Sequence, residues 1–304
     1  MSVNSHNKLP EGKDIFYLTL GTLGIGVSGP LIALSTMSLV ALVFWRNFIG
    51  SIILLPFALK NMDWKKSDFR KGIGLAALAG ISLASHFICF FYAVRTTTVA
   101  AATALTAMQP IFAALVVAFS GGKILKRSWI GMSISFASMF LITGIDFQKS
   151  TRAFTGDLVA ILCAFLAALY VWFGSKSQRF ISSPTYTTTC YFVCALFSIP
   201  IMLVTQISFF HYSKKNWLLL LALVLGAQLL GHTMFNISLK RVSPAIVSLI
   251  VFFEVPIAAV LAWFWLHQKP QSGTVPGIII LLIGCATVVW GSWDKKNTEE
   301  NLLS

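Results

Sequence analysis

"LIVFFEVPIAAVLAWFW", residues 249–265, is a run of seventeen residues with a single charge, Glu254, two positions before Pro256. So apolar a stretch belongs either in a protein core or in a bilayer, and the remainder of the chain decides between them. Of 304 residues, 57% are hydrophobic and 11% charged, with a mean hydropathy of +0.80. Too few polar side chains remain to coat a globule. Apolar stretches of about twenty residues, long enough to cross about 30 Å of hydrocarbon as helices, recur from end to end. They predict an all-α integral membrane protein with ten transmembrane helices, at 15–34, 39–59, 72–93, 97–119, 128–146, 156–175, 185–206, 217–237, 243–265 and 273–293. The polar ends "MSVNSHNKLPEGKD" and "DKKNTEENLLS" leave no room for a soluble domain. The first apolar stretch shows no small-residue cleavage site and reads as a retained helix.

A net charge of +13 would suit a nucleic-acid binder if it were clustered on one surface. Instead it alternates along the chain. Segments on the N-terminal side of the predicted membrane carry 16 Lys and Arg, those on the other side 6, and Arg46 lies within a helix. By the positive-inside bias both termini are expected in the cytoplasm, and "KNMDWKKSDFRK" at 60–71 is an orientation signal beside lipid headgroups. Nucleic acid is therefore not an expected partner; the bilayer and a small solute are.

The five cysteines, Cys89, Cys163, Cys190, Cys194 and Cys285, all fall inside apolar spans and suggest no disulfide framework. Cys190 and Cys194 are one helical turn apart, but no neighbouring His or carboxylate completes a metal site, so no metal or other cofactor is expected. The sequence contains no Walker loop, HExxH or Gly-x-Ser-x-Gly. ATP hydrolysis, zinc proteolysis and esterase chemistry lack their residues, and energy for any transport must come from a gradient.

Sliding the chain over itself by 146 positions aligns Ala76 with Ala222, Gly80 with Gly226, His86 with His232, Arg95 with Arg241, Pro110 with Pro256, and Gly131 with Gly277. This indicates a duplication, with one repeat in 1–147 and the other in 148–304. Each unit holds five predicted helices, so the second enters the membrane from the opposite side. Inverted repeats suit secondary transporters, because two similar halves can exchange conformations to open a central site alternately to either side.

Several segments carry a family likeness: "FWRN" at 44–47, "FFYAVRTTTVAAATALTAMQPIFAALVVAF" at 90–119, "TGDLVAILCAFLAALYVWF" at 155–173 and "VSPAIVSLIVFFEVPIAAVLAWFWL" at 242–266. In order and spacing the chain resembles a ten-helix EamA-type member of the drug/metabolite transporter superfamily. The resemblance implies export or exchange of small metabolites across a bacterial inner membrane. It further implies helices 1–4 and 6–9 around a central cavity, with helices 5 and 10 outside it and available for a homodimer. Family members often carry a Gly-Glu pair just after helices 4 and 9. Here those places read "SGGK" at 120–123 and "LHQK" at 266–269, so no role of those glutamates transfers.

Ionisable side chains inside a bilayer are costly and usually face a cavity or a partner. At 1.5 Å per residue, Arg46, His86 and Glu254 each lie roughly 12–17 Å from the same membrane face. They are expected around one pocket, with Arg46 and Glu254 offsetting each other's charge. Gln228, His232 and Asn236 recur every four residues and are expected to line the cavity from helix 8. Gln109 ends a Thr103, Thr106, Gln109 series on helix 4, and Ser82 lies one turn before His86. Trp45, next to Arg46, is a candidate stacking surface for a planar or cationic substrate. Pro110 and Pro256 each remove a helical hydrogen bond and are candidate hinges. Glu254, the acidic residue expected deep in the membrane, is the candidate proton carrier, and Arg46 with Glu254 suits a zwitterion such as an amino acid. Two other readings remain at this point: an intramembrane metal enzyme using His86, His232 and Glu254, and a channel.

Overall fold

The computed structural model describes residues 12–61, 68–119, 121, 126–231, 234, 250–269 and 273–302, and every regular element among them is helical. Helices α1 (Gly12–Gly26) and α2 (Ser28–Leu34) form one apolar span, followed by α3 (Leu39–Lys60) and α4 (Phe69–Thr96). Next come α5 (Val99–Thr106), α6 (Gln109–Phe119), α7 (Lys126–Lys149), α8 (Thr151–Ser177) and α9 (Ser183–Val204). Helix α10 (Lys214–Leu223) runs into a π-helical turn, Val224–Gly231, and α11 (Glu254–Leu266) and α12 (Thr274–Leu302) follow. Among the described residues seven spans are long and apolar enough to cross a membrane, with Glu254–Leu266 and Thr274–Trp290 as shorter apolar helices.

Local chemistry sets the boundaries. Thr98, Ser150, Ser182 and Ser213 each accept a hydrogen bond from the backbone N–H three residues on, capping α5, α8, α9 and α10. The stretch expected as a single helix at 97–119 is instead two, separated at Ala107–Met108. Pro110 supplies the reason: it has no N–H to donate and its ring crowds the preceding turn. There the backbone tightens to three-residue bonds, Met108 to Leu105 and Ile111 to Met108. The same occurs before Pro256, where Phe253 bonds Ile250 and Val255 bonds Phe252.

Helices from the first half of the chain pack mainly on helices from the second. The main partnerships are α4 on α8 and α9, α3 on α9, α1 on the π-helical turn, and α11 on α2 and α5. Close approach depends on small residues. A Cβ at Gly24 would lie 2.8 Å from Gly226 O and 3.0 Å from Gly231 N, so α1 and the π-helical turn meet backbone to backbone. The Gly72, Ala76, Gly80, Ala84 ladder of α4 is used in the same way, with Gly80 against Cys190 O of α9.

Helices α7 and α12 form a separate pair. Ser128 donates to Val288 O and Ser135 to Leu281 O, both at 3.3 Å, and Ser138 donates to Gly277 O. Residue numbers rise on one helix as they fall on the other, so the two run antiparallel. At Gly131 a Cβ would sit 2.6 Å from Gly284 O and 2.9 Å from Val288 N, whereas at Gly144 it would meet nothing within 4 Å. Alanine gains about 1 kcal/mol over glycine from helix propensity, but overpacking against rigid backbone costs about 1–3 kcal/mol. Gly131→Ala is therefore expected to lower the melting temperature in detergent, and Gly144→Ala to leave it unchanged or raise it.

Candidate functional site

Polar side chains from four helices converge on a cavity of about 370 Å³ between the two halves. Arg46 of α3, His86 of α4, Gln109 of α6 and Glu254 of α11 all line it, along with Pro110. The aromatic wall is built from Phe87, Phe90, Phe252 and Tyr170. The volume is near the small end of ligand pockets, about 300–1,000 Å³.

Arg46 is 2% exposed and is held on two sides. Its Nε donates to Gln228 Oε1 at 2.8 Å, and its guanidinium carbon lies 4.2 Å from the centre of the Phe87 ring. The terminal nitrogens donate no hydrogen bond among the described residues, which leaves the guanidinium fork to the cavity it lines. Arg46 and Glu254 are near enough to interact electrostatically, and among the described residues no ion pair joins them. Gln228 takes the Nε–H and leaves the other N–H donors of the guanidinium unengaged by it.

His86 is oriented by α8. Its Nδ1 lies 3.0 Å from Cys163 O and 3.1 Å from Cys163 Sγ; the tautomer with its hydrogen on Nδ1 donates to that carbonyl and has Nε2 as an acceptor. Around this bond Cys163 Sγ donates to His86 O at 3.4 Å and accepts from Thr106 Oγ1 at 3.7 Å. Thr103 and Ser82 return their hydroxyls to the preceding turn, on Val99 O and Leu78 O, and need no other partner.

Two expected cavity residues lie elsewhere. Trp45 does not line the cavity: its Nε1 donates to Phe209 O at 2.7 Å, and its ring packs edge-on against Phe210 and Trp217. Successive residues on a helix point roughly 100° apart, so Arg46 faces inward and Trp45 does not. Gln228 sits behind Arg46 and does not line the cavity. His232 and Asn236 lie outside the described residues. Pro256 is exposed, one turn from the cavity, in the first turn of α11.

Glu254 is half-buried where it lines the cavity. Asp157, near the start of α8, is fully buried, but it does not line the cavity. Tyr170 and the Cys163 network were not singled out from sequence. A tyrosine in the middle of "FLAALYVWF" was a usable signal; a thiol meeting a histidine 77 residues away was not.

One end of the bundle is tied across the halves. Asn216 Oδ1 accepts from Ser35 Oγ at 3.0 Å and Thr36 N at 2.9 Å, fastening α10 to the α2–α3 turn. Arg95 donates to Ile32 O and Met37 O, and Gln268 Oε1 accepts from Val99 N. These bonds seal the cavity's lining helices together at that end.

The chain is 24% identical over 256 residues to a pseudopaline exporter of Pseudomonas aeruginosa, covering 83% of this chain and 87% of that protein. It is 26% identical over 249 residues to an uncharacterized transporter of Archaeoglobus fulgidus, covering 80% and 85%. An S-adenosylmethionine uptake transporter of Rickettsia prowazekii is 21% identical over 264 residues, covering 84% and 83%. A solved crystal structure shares the fold with a TM-score of 0.61 at 16% identity, over 91% of this chain and 96% of that one. The sequence profile of the EamA-like transporter family matches twice, at residues 13–144 and 154–290. This multi-pass membrane protein belongs to the EamA-like transporter family.

Proposed function

We propose that the chain is a secondary active transporter that exports a small zwitterionic, amino-acid-like solute by alternating access. The observation carrying this reading is that Arg46 and Glu254 line one cavity, with no ion pair joining them among the described residues. A carboxylate would dock on the Arg46 fork and an amine on Glu254, with His86 Nε2 as a further acceptor. S-adenosylmethionine, named in one relative, also carries an amino-acid end, while the pseudopaline relative is named as an exporter.

The architecture behind it is ten transmembrane helices in two inverted repeats, 1–147 and 148–304. The antiparallel α7–α12 pair supports this, because Gly131 and Gly277 are equivalent under the 146-residue offset and the two helices run in opposite directions. The matching breaks before Pro110 and Pro256 support hinges acting in opposite senses in the two halves. The charge distribution supports cytoplasmic termini, and the bacterial relatives support an inner-membrane location. The Asn216, Arg95 and Gln268 ties then close the extracytoplasmic end. A homodimer through helices 5 and 10 would use outward faces such as Ile130 and Ile283, because the small-residue faces of α7 and α12 are occupied by each other.

Counterflow in proteoliposomes tests the substrate class. Zwitterionic amino acids are expected to exchange, and their amides and decarboxylated amines to exchange at least about tenfold less well, since hydrogen bonds to charged groups contribute about 1.5–3 kcal/mol. Equal transport of all three would overturn the zwitterion reading. Conductance far above carrier turnover would indicate a channel, and a stoichiometric bound metal an intramembrane enzyme.

A further inference from the structure

Arg46 and Glu254 present a physical problem that the fold must solve. Opposite charges lining one cavity attract, and arginine is long and flexible. Left alone, the guanidinium would swing onto the carboxylate and occlude the site.

Gln228 stands in the way of that collapse. It is 2% exposed, lies outside the cavity lining, and takes the inner Nε–H of Arg46, so the fork remains directed at the cavity. The amide rests on Gly50 of α3, where a Cβ would collide with Gln228 Nε2, and Tyr191 borders the same space. Only the oxygen of the amide can face Arg46, because both Nε of arginine and Nε2 of glutamine are donors.

The π-helical turn delivers Gln228 to this place. Residues Val224–Gly231 take the wider five-residue hydrogen-bond pattern, which rotates Gln228 relative to an α-helical course, and such turns are frequent at functional sites. The turn is held from behind by α1, through the Gly24–Gly226 approach.

We infer that Gln228 is a positioning residue that holds Arg46 off Glu254, so that both charges remain available to one zwitterionic ligand. This rests on the reading of the cavity as a substrate site. The test is a double-mutant cycle of counterflow kinetics on wild type, Gln228→Met, Glu254→Gln and the double variant. Gln228→Met keeps the length and loses the acceptor. It is expected to raise KM about tenfold or more, the scale of a hydrogen bond to a charged group, while the maximal exchange rate falls far less.

The double variant discriminates position from damage. With no carboxylate to capture it, Arg46 is released, so adding Glu254→Gln to Gln228→Met should cancel most of the Gln228→Met effect. A general packing defect would not be repaired by a second substitution across the cavity. Unchanged KM in Gln228→Met, or effects that simply multiply, overturns the inference. If wild type exchanges no zwitterion, the substrate reading has failed, and the positioning inference is decided by an experimental structure of Gln228→Met. Arg46 turned onto Glu254 supports it; Arg46 in its original place refutes it.

Discussion

Glu254→Gln is expected to abolish proton-driven uphill transport while leaving exchange intact at saturating substrate. Glutamine preserves the shape and hydrogen-bonding of the side chain but cannot gain or lose a proton in the cycle. Among the cavity-lining residues Glu254 is the sole carboxylate, since the buried Asp157 and Asp14 lie outside it. In proteoliposomes with an imposed proton gradient, accumulation above equilibration should be lost. Counterflow without a gradient should persist with a raised KM, because the substrate amine loses its charged partner. Gradient-driven accumulation that survives in the variant would remove Glu254 from the coupling mechanism. The search would then move to His86, which also lines this cavity.

That Glu254, Arg46 and His86 share one cavity was legible in the sequence because helix rise is regular. Counting residues from the helix ends gives depth, and three costly side chains at one depth must find a common polar space. Depth does not give direction. Trp45 lies at nearly the same depth as Arg46 but turns to Phe209, Phe210 and Trp217. Of the helix 8 stripe only Gln228 lies among the described residues, and a four-residue spacing defines one face only if the helix is α throughout. The π-helical turn Val224–Gly231 breaks that phase and puts Gln228 behind Arg46. Its local sequence, VLGAQLLG, carries no mark of the change, which depends on packing against Gly24 and Gly50 elsewhere in the chain. The break at Ala107–Met108, by contrast, was announced by Pro110, although its extent was not.

Arg46→Met carries the other large expectation: loss of recognition of any substrate carboxylate. Methionine retains the contact with Phe87, since its thioether packs well on aromatic rings, so the variant should fold and pack. It leaves the carboxylate of the substrate without a donor in a nearly dry cavity. Removing one partner of a buried charged contact costs about 2–5 kcal/mol, so KM for a zwitterion should rise about thirtyfold or more. A decarboxylated amine, by contrast, should bind Arg46→Met no worse than wild type, because its only charge faces Glu254. This difference between substrates separates recognition from architecture. If Arg46 and Glu254 merely clamp the two halves together, every substrate would suffer alike in Arg46→Met. The double variant Arg46→Met with Glu254→Gln would then recover transport, since neither charge would be left unbalanced. If they recognise substrate, the double variant stays inactive toward zwitterions, although it carries no uncompensated charge to destabilise the cavity.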